Sequence, residues 1–362
     1  MTGLEDVIAA ETALSDVDGE AGRLIIKGHA LEELAGTATF EDVARLLLDG
    51  LFDDLPAPAA FARRLGQARV EAFAHLSALT PELAASPPVD AVRALIALLP
   101  DGDDPDVSFQ LLAAPAVFTS AVVRKARGLQ PIAPDPALVQ AADMLRMMRG
   151  SPPSAAEAAA LDAYLVTIVD HGLNASTFAA RVAASTRAGL TSAALAGISA
   201  LKGPLHGGAP GPVIEMLDEI GSPDRAEAWL EDALARGDRL MGFGHRIYRV
   251  RDPRADALKA ALKMLTASSS ALPGRLALAE AVEQAALTAL VRHKPGRSLQ
   301  TNVEFYTAVL LEALGFPADA FTCVFATGRM AGWIAHAREQ VLSGRLIRPK
   351  SLYVGVRPRA AA

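Results

Sequence analysis

Cysteine is nearly absent from this chain of 362 residues, where Cys323 is the only one. That excludes an intrachain disulfide framework and any multi-cysteine metal site, and makes a reducing, cytoplasmic compartment the expectation. Dense runs of lysine or arginine are also missing, and 35 basic against 41 acidic residues leave a net charge of −6. Nothing in that balance offers a stripe for a nucleic-acid backbone. The longest apolar candidate, Leu111 to Val123, is interrupted by Pro115, Thr119 and Ser120. It falls short of the roughly 20 residues that span a bilayer. The opening Met1-Thr-Gly-Leu-Glu-Asp-Val is acidic where a secretory signal is basic, so a soluble protein is expected. A Walker loop, a Gly-x-Ser-x-Gly elbow and a His-Glu-x-x-His pair are all lacking, which removes the usual signals of phosphate-loop, serine-hydrolase and zincin chemistry. Gly242-Phe-Gly244 is no dinucleotide fingerprint, because Ile247 stands where the third glycine belongs and the residues before it read as helix.

Alternating, β-branched patterns are scarce as well, while apolar residues recur at helical spacing almost throughout a chain that is 51% hydrophobic. The expectation is an all-α fold. Phe40 to Leu48 puts Phe40, Val43, Leu46 and Leu47 on one face and stops at Asp49-Gly50. Similar patterns predict helices over 57–79, 90–99, 107–126, 135–149, 154–170, 176–188, 191–201, 210–220, 224–236, 253–269, 275–292, 303–314 and 319–342. Proline- and glycine-rich breaks separate them. The one plausible strand pair lies near the N-terminus, around Arg23-Leu-Ile-Ile-Lys27.

Three segments of the second half carry the chemistry: Gly203-Pro-Leu-His206-Gly-Gly208, Gly242-Phe-Gly-His245 running to Arg254, and Asn302-Val-Glu304-Phe-Tyr306. Glycine beside a histidine lets backbone and ligand approach closely. Arg246, Arg249, Arg251 and Arg254 follow His245, and an arginine fork matches a carboxylate, so the expected substrate is a small polyanion. A carboxylate with imidazole partners suits removal of a carbon-bound proton. His206 just precedes the helix expected at Pro210, whose positive end disfavours an imidazolium. Asn302 is placed to cap a helix and hold Glu304 in its first turn. His171, in Asp170-His-Gly-Leu-Asn174-Ala-Ser-Thr177, reads on its own as structural, and His29, His75, His293 and His336 read as residues without chemical duty.

Taken in order, these motifs resemble those of the citrate synthase family. The resemblance begins at Asp18-Gly19, Gly22, Leu24 and Lys27-Gly28, with Leu31-Glu-Glu-Leu34 as a first helix. It continues through Asp170-His171, Asn174 to Thr177, Lys202 to Gly208, Gly244-His245, Asp252-Pro-Arg254 and Arg348-Pro-Lys350. It implies a homodimer, a large helical domain from 1–207 and 316–362, and a small domain at 208–315 across a cleft. It implies condensation of oxaloacetate with acetyl-CoA to citrate and CoA, with CoA as co-substrate and no tightly bound cofactor or metal. His206 would hydrogen-bond the thioester oxygen, His245 the oxaloacetate carbonyl, and Glu304 would take the methyl proton. His171, Arg254 and Arg329 would hold oxaloacetate carboxylates, and Arg348 would reach the partner's site. Leu240, Met241, Gly242, Phe243 and Gly244 would cradle the CoA adenine, with Arg249 near its phosphates. Glu304 replaces the family's usual aspartate. Propionyl-CoA, giving 2-methylcitrate, differs by one methylene, worth only about 1–3 kcal/mol in a pocket. A weakly active paralogue that serves as a binding or structural protein is the alternative from another class.

Overall fold

The computed structural model describes residues 3, 7–207, 210–245, 247–268 and 273–356. Gly208 and Arg246 lie outside the described residues. The sheet is small and N-terminal: β1 (Ser15–Asp18), β2 (Arg23–Ile26) and β3 (His29–Ala30) pair antiparallel in that order, with Ser15 opposite Ile26. Its middle strand stops before Lys27, because Lys27 and Gly28 turn to φ of 48° and 87°.

Everything else regular is helical, as expected. The first half holds α1 (Leu31–Leu34), α2 (Phe40–Leu48), α3 (Pro58–Ala74), α4 (Pro81–Ala84), α5 (Pro88–Ile96), α6 (Pro105–Ala126), α7 (Gln140–Arg149), α8 (Ala155–Thr167) and α9 (Ala175–Ser185). The second holds α10 (Leu190–Leu201), α11 (Gly211–Ile220), α12 (Ala226–Arg236), α13 (Pro253–Ala267), α14 (Pro273–His293), α15 (Val303–Ala313) and α16 (Phe321–Ser343). Local sequence sets many boundaries. Thr39 and Asp42 form a capping box on α2, Ser154 and Glu157 do so on α8, and Gly150 closes α7 in the left-handed region.

Helix α6 runs through Pro115 for 22 residues, longer than the apolar stretch suggests. By length and composition it could cross a membrane, yet 89% of its most apolar window is buried inside the protein. It packs on α3, α5, α7 and α16, and α16 packs in turn on α9 and α10. Around that core, α13 lies against α8 and α15, and α12 against α14.

Several expected helices are shorter than their periodicity. The segment 135–139 makes a turn, Leu138 N donating to the Asp135 oxygen at 3.2 Å, while Arg69 donates to the carbonyls of Asp135 and Leu138 and Asp143 accepts from the Asp135 amide. Backbone groups already used this way cannot join a helical ladder. Likewise α8 ends at Thr167, short of 170, which frees residues 168–171 for the site.

Candidate active site

The end of α8 and the middle of α16 meet unusually closely. A Cβ on Gly328 would lie 2.8 Å from the Leu165 carbonyl oxygen, and one on Gly332 would lie 2.5 Å from that of Val169. Only glycine allows that approach. With the two backbones in contact, Arg329 donates from Nε to the Ile168 oxygen at 2.6 Å and lies buried beside Asp170 and His171. Asn174 then caps α9, accepting from the amides of Ser176 and Thr177. Ser176 Oγ receives Trp333 Nε1 at 3.1 Å and lies 2.9 Å from His206 Nε2. Ser176 Oγ also lies 2.7 Å from Asn174 Oδ1, so its single proton has two acceptors in reach, Asn174 Oδ1 and His206 Nε2.

The loop carrying His245 is laced to the one that leads into α15, whose first turn holds Glu304. Gly242 and Gly244 both take φ of 84°. Asn302 N donates to the Gly242 oxygen at 3.0 Å, Gly244 N to the Gln300 oxygen at 2.7 Å, and Asn302 Nδ2 to the Gly244 oxygen at 2.8 Å. Asn302 Oδ1 caps α15 through the Glu304 amide at 3.0 Å, the cap expected from sequence. Asp252 completes the joint. It caps α13, grips Arg254 at 2.8 and 3.0 Å, and accepts from the Val303 amide at 3.1 Å.

The His245 ring has one consistent protonation. Its Nδ1 accepts from the amides of Ile247 at 3.0 Å and Tyr248 at 3.1 Å, so the proton of the neutral ring sits on Nε2. Arg254 Nη2 lies 3.3 Å from that Nε2. Both atoms are donors, so the pair frames a place for one shared acceptor. His171 completes the cluster, its ring 5.7 Å from that of His245 and its Nε2 3.2 Å from the Tyr248 hydroxyl.

Burial dominates the electrostatics. It lowers His206 and His245 to about 4, assisted at His206 by Arg329 and Arg254 and at His245 by Arg254, against a raising influence from Asp252. His171 is pushed well down by burial and by the same two arginines. Burial lowers Arg329 to about 10, with Arg254 adding repulsion that Asp170 offsets. Glu304 is raised to about 7 by burial, with Arg254 and Arg329 pulling down and Asp252 pushing up. Its residue is only half-buried, but the Oε2 atom is sealed and has no hydrogen-bond partner among the described residues.

A pH dependence follows from that carboxyl. Its folded value lies above the ordinary 4.5, so the native state holds the proton more tightly and loses stability as pH rises from 4.5 through about 7. Glu304→Gln lacks this loss. The variant should therefore gain on the wild type across that window, by up to about 3 kcal/mol at pH 8. Thermal denaturation of both proteins at pH 5 and pH 8 checks it; a difference independent of pH would show that Glu304 is not raised.

Not every candidate joins the cluster. Arg348 lies exposed on the tail beyond α16, away from its own chain's site. The arginines after His245 do not act together. Arg254 is buried in the site, Arg251 is tied to Asp256 and Glu283, and Arg249 is exposed, its amide donating to the Gly19 oxygen at 2.9 Å. Of the loop 240–244, Leu240 and Phe243 are buried and Met241 is half-buried. His336, read from sequence as a residue without chemical duty, is fully buried, 3.1 Å from Asp170. Tyr248, Asp252 and Ser176 were embedded in quoted motifs without a role, and their value appears only in three dimensions.

The all-helical frame and this buried, cationic, imidazole-rich site define an acyl-transferring enzyme. The family model described as citrate synthase, C-terminal domain, matches residues 3–350. A citrate synthase of Haloferax volcanii is 37% identical, over 98% of this chain and 95% of that protein. A 2-methylcitrate synthase of Mycobacterium tuberculosis is 35% identical, over 98% and 90%. The solved citrate synthase of Thermoplasma acidophilum, in ternary complex with carboxymethyl coenzyme A and oxaloacetate, superposes with a TM-score of 0.86 at 30% identity, covering 99% of this chain and 97% of that one. The chain belongs to the citrate synthase family.

Proposed function

We propose that the protein condenses oxaloacetate with acetyl-CoA and water to give citrate and CoA. The observation that carries this reading is the pair of donors, His245 Nε2 and Arg254 Nη2, 3.3 Å apart with Arg329 and His171 beside them. Arginines suit the two carboxylates of oxaloacetate, and the His245 proton suits its carbonyl oxygen. Glu304 takes a methyl proton from the thioester while His206 hydrogen-bonds the enolate oxygen. The enolate carbon then bonds to the oxaloacetate carbonyl carbon, whose oxygen takes the proton from His245. Water cleaves the resulting thioester and releases CoA. The 240–244 loop is assigned to the adenine and Arg249 to the CoA phosphates, on the strength of the loop's lacing to the Glu304 helix and the exposure of the Arg249 side chain.

CoA release measured with oxaloacetate plus acetyl-CoA or propionyl-CoA tests the reading. Faster turnover of the propionyl thioester would favour 2-methylcitrate synthesis, a reading supported by the relative of that name. No release with either would favour a non-catalytic paralogue.

Two further assignments belong to this reading. Residues 208–315 form the small domain, supported by the mutual packing of α11, α14 and α15, and the site closes where α13 settles on α8. The working unit is a homodimer. The C-terminal tail is extended and leaves Leu352, Val354 and Val356 exposed at 68, 87 and 91%. Apolar side chains in that state need a cover, and a second copy supplies it while receiving Arg348. Mixing inactive Arg348→Ala and Glu304→Ala subunits should then restore up to about a quarter of wild-type activity, because half the dimers are mixed and one of their two sites carries neither defect. Heterodimers that form without recovering activity would place Arg348 outside the partner's site.

A further inference from the structure

His336 belongs to a continuous run of hydrogen bonds whose directions are all forced. Arg181 Nη1 lies 2.9 Å from His336 Nδ1, and a guanidinium can only donate, so Nδ1 accepts and the ring proton sits on Nε2. That proton goes to Asp170 Oδ2 at 3.1 Å. On the other side, Arg181 Nε donates to Gln340 Oε1 at 3.0 Å, and Gln340 Nε2 donates to the Arg345 carbonyl oxygen at 2.9 Å. Glu339 accepts from Arg181 at 2.6 Å. Asp170, His336 and Arg181 are 0, 0 and 2% exposed, so water does not compete for these bonds.

One end of this run is Asp170, whose charge acts on Arg329 and which is the neighbour of His171 in sequence. The other fixes the first turn of the tail three residues before Arg348, where Ile347 N also bonds Ser185 on the helix that carries Arg181, at 3.1 Å. We propose that His336 is a positioning residue for the keto-acid site, and that its hydrogen-bond run couples occupation of that site to the setting of the C-terminal tail. The proposal rests on the reading above, in which His171 and Arg329 bind oxaloacetate.

The test uses the full-length enzyme with oxaloacetate. His336→Leu removes both bonds and should raise the KM for oxaloacetate about 10- to 100-fold, since bonds to charged groups are being lost, while the KM for acetyl-CoA stays unchanged. His336→Gln can accept from Arg181 and donate to Asp170, and should recover most of the loss. Gln340→Met breaks the run far from the site. In the wild type, oxaloacetate should slow amide hydrogen exchange in residues 344–356, and this protection should be absent from Gln340→Met. If His336→Leu does not fold, the Gln340→Met exchange result decides the matter. A glutamine variant as poor as leucine, or both KM values rising together, would reduce His336 to packing. An active wild type whose tail ignores oxaloacetate would overturn the coupling and leave the proposed function standing. A wild type that binds no oxaloacetate would overturn both.

Discussion

Glu304→Gln should nearly abolish exchange of acetyl-CoA methyl protons with solvent, measured in the presence of a non-condensing oxaloacetate analogue, and should lower turnover by about 100- to 10,000-fold. The amide keeps the size of the carboxyl but cannot accept the proton. Oxaloacetate affinity should barely change, because Arg254, Arg329 and His171 are assigned to that task. The wild-type carboxyl also makes the rate depend on pH: it is ionised only above about 7, so exchange should rise through that value. Glu304→Asp adds a second comparison. If the long side chain is fitted to this site, retracting the carboxylate by one methylene should slow exchange, since about 1 Å of misplacement can cost on the order of 100-fold. Faster exchange in the aspartate variant would mark glutamate as a handicap. Wild-type exchange in the glutamine variant would remove Glu304 as the base.

His206→Ala and His245→Ala should each lower turnover by about 100- to 1000-fold, the usual cost of removing one donor from a developing oxyanion. Their secondary effects should differ. Among the described residues the His206 side chain hydrogen-bonds Ser176 alone, so its loss should fall on kcat. His245 also organises its own loop by accepting two backbone amides, and it sits against Arg254. Its replacement should raise the KM for oxaloacetate as well. Circular dichroism and thermal denaturation establish that each variant is folded. Near-normal turnover in a folded variant would take that histidine out of the mechanism.

Local signals explain where sequence reading succeeded. The apolar face of Phe40, Val43, Leu46 and Leu47 with the stop at Asp49-Gly50 placed α2 at the observed Phe40–Leu48, and Asn302 announced both the start of α15 and the position of Glu304. The failures are non-local. Nothing near Asp135 indicates that Arg69, 66 positions away, will occupy its carbonyl and keep it out of a helix. His336 lies in an apolar helical pattern, and its partner Asp170 is 166 positions distant, so periodicity could only assign it to the core. Charge clustering misled in the opposite direction: Arg251 neighbours Arg254 in sequence, yet an ion pair with Glu283 turns it to another task. The tail's exposed Leu352, Val354 and Val356 were equally silent, because only a folded surface reveals which apolar groups lack a cover.

The two glycines at the crossing of α8 and α16 also bear on how such a site can change. No side chain can be inserted at Gly328 or Gly332 without parting the helices, so the spacing of Arg329 and His171 behaves as a fixed gauge. The joint between the His245 loop and the Glu304 helix is laced around Gly242 and Asn302, and there too a Cβ on Gly242 would meet Phe305 at 2.8 Å. Natural drift or laboratory selection toward a bulkier thioester should therefore leave Gly242 in place and act on half-buried side chains such as Met241 and Leu299. The keto-acid half should stay as it is, whatever acyl chain the other half learns to accept.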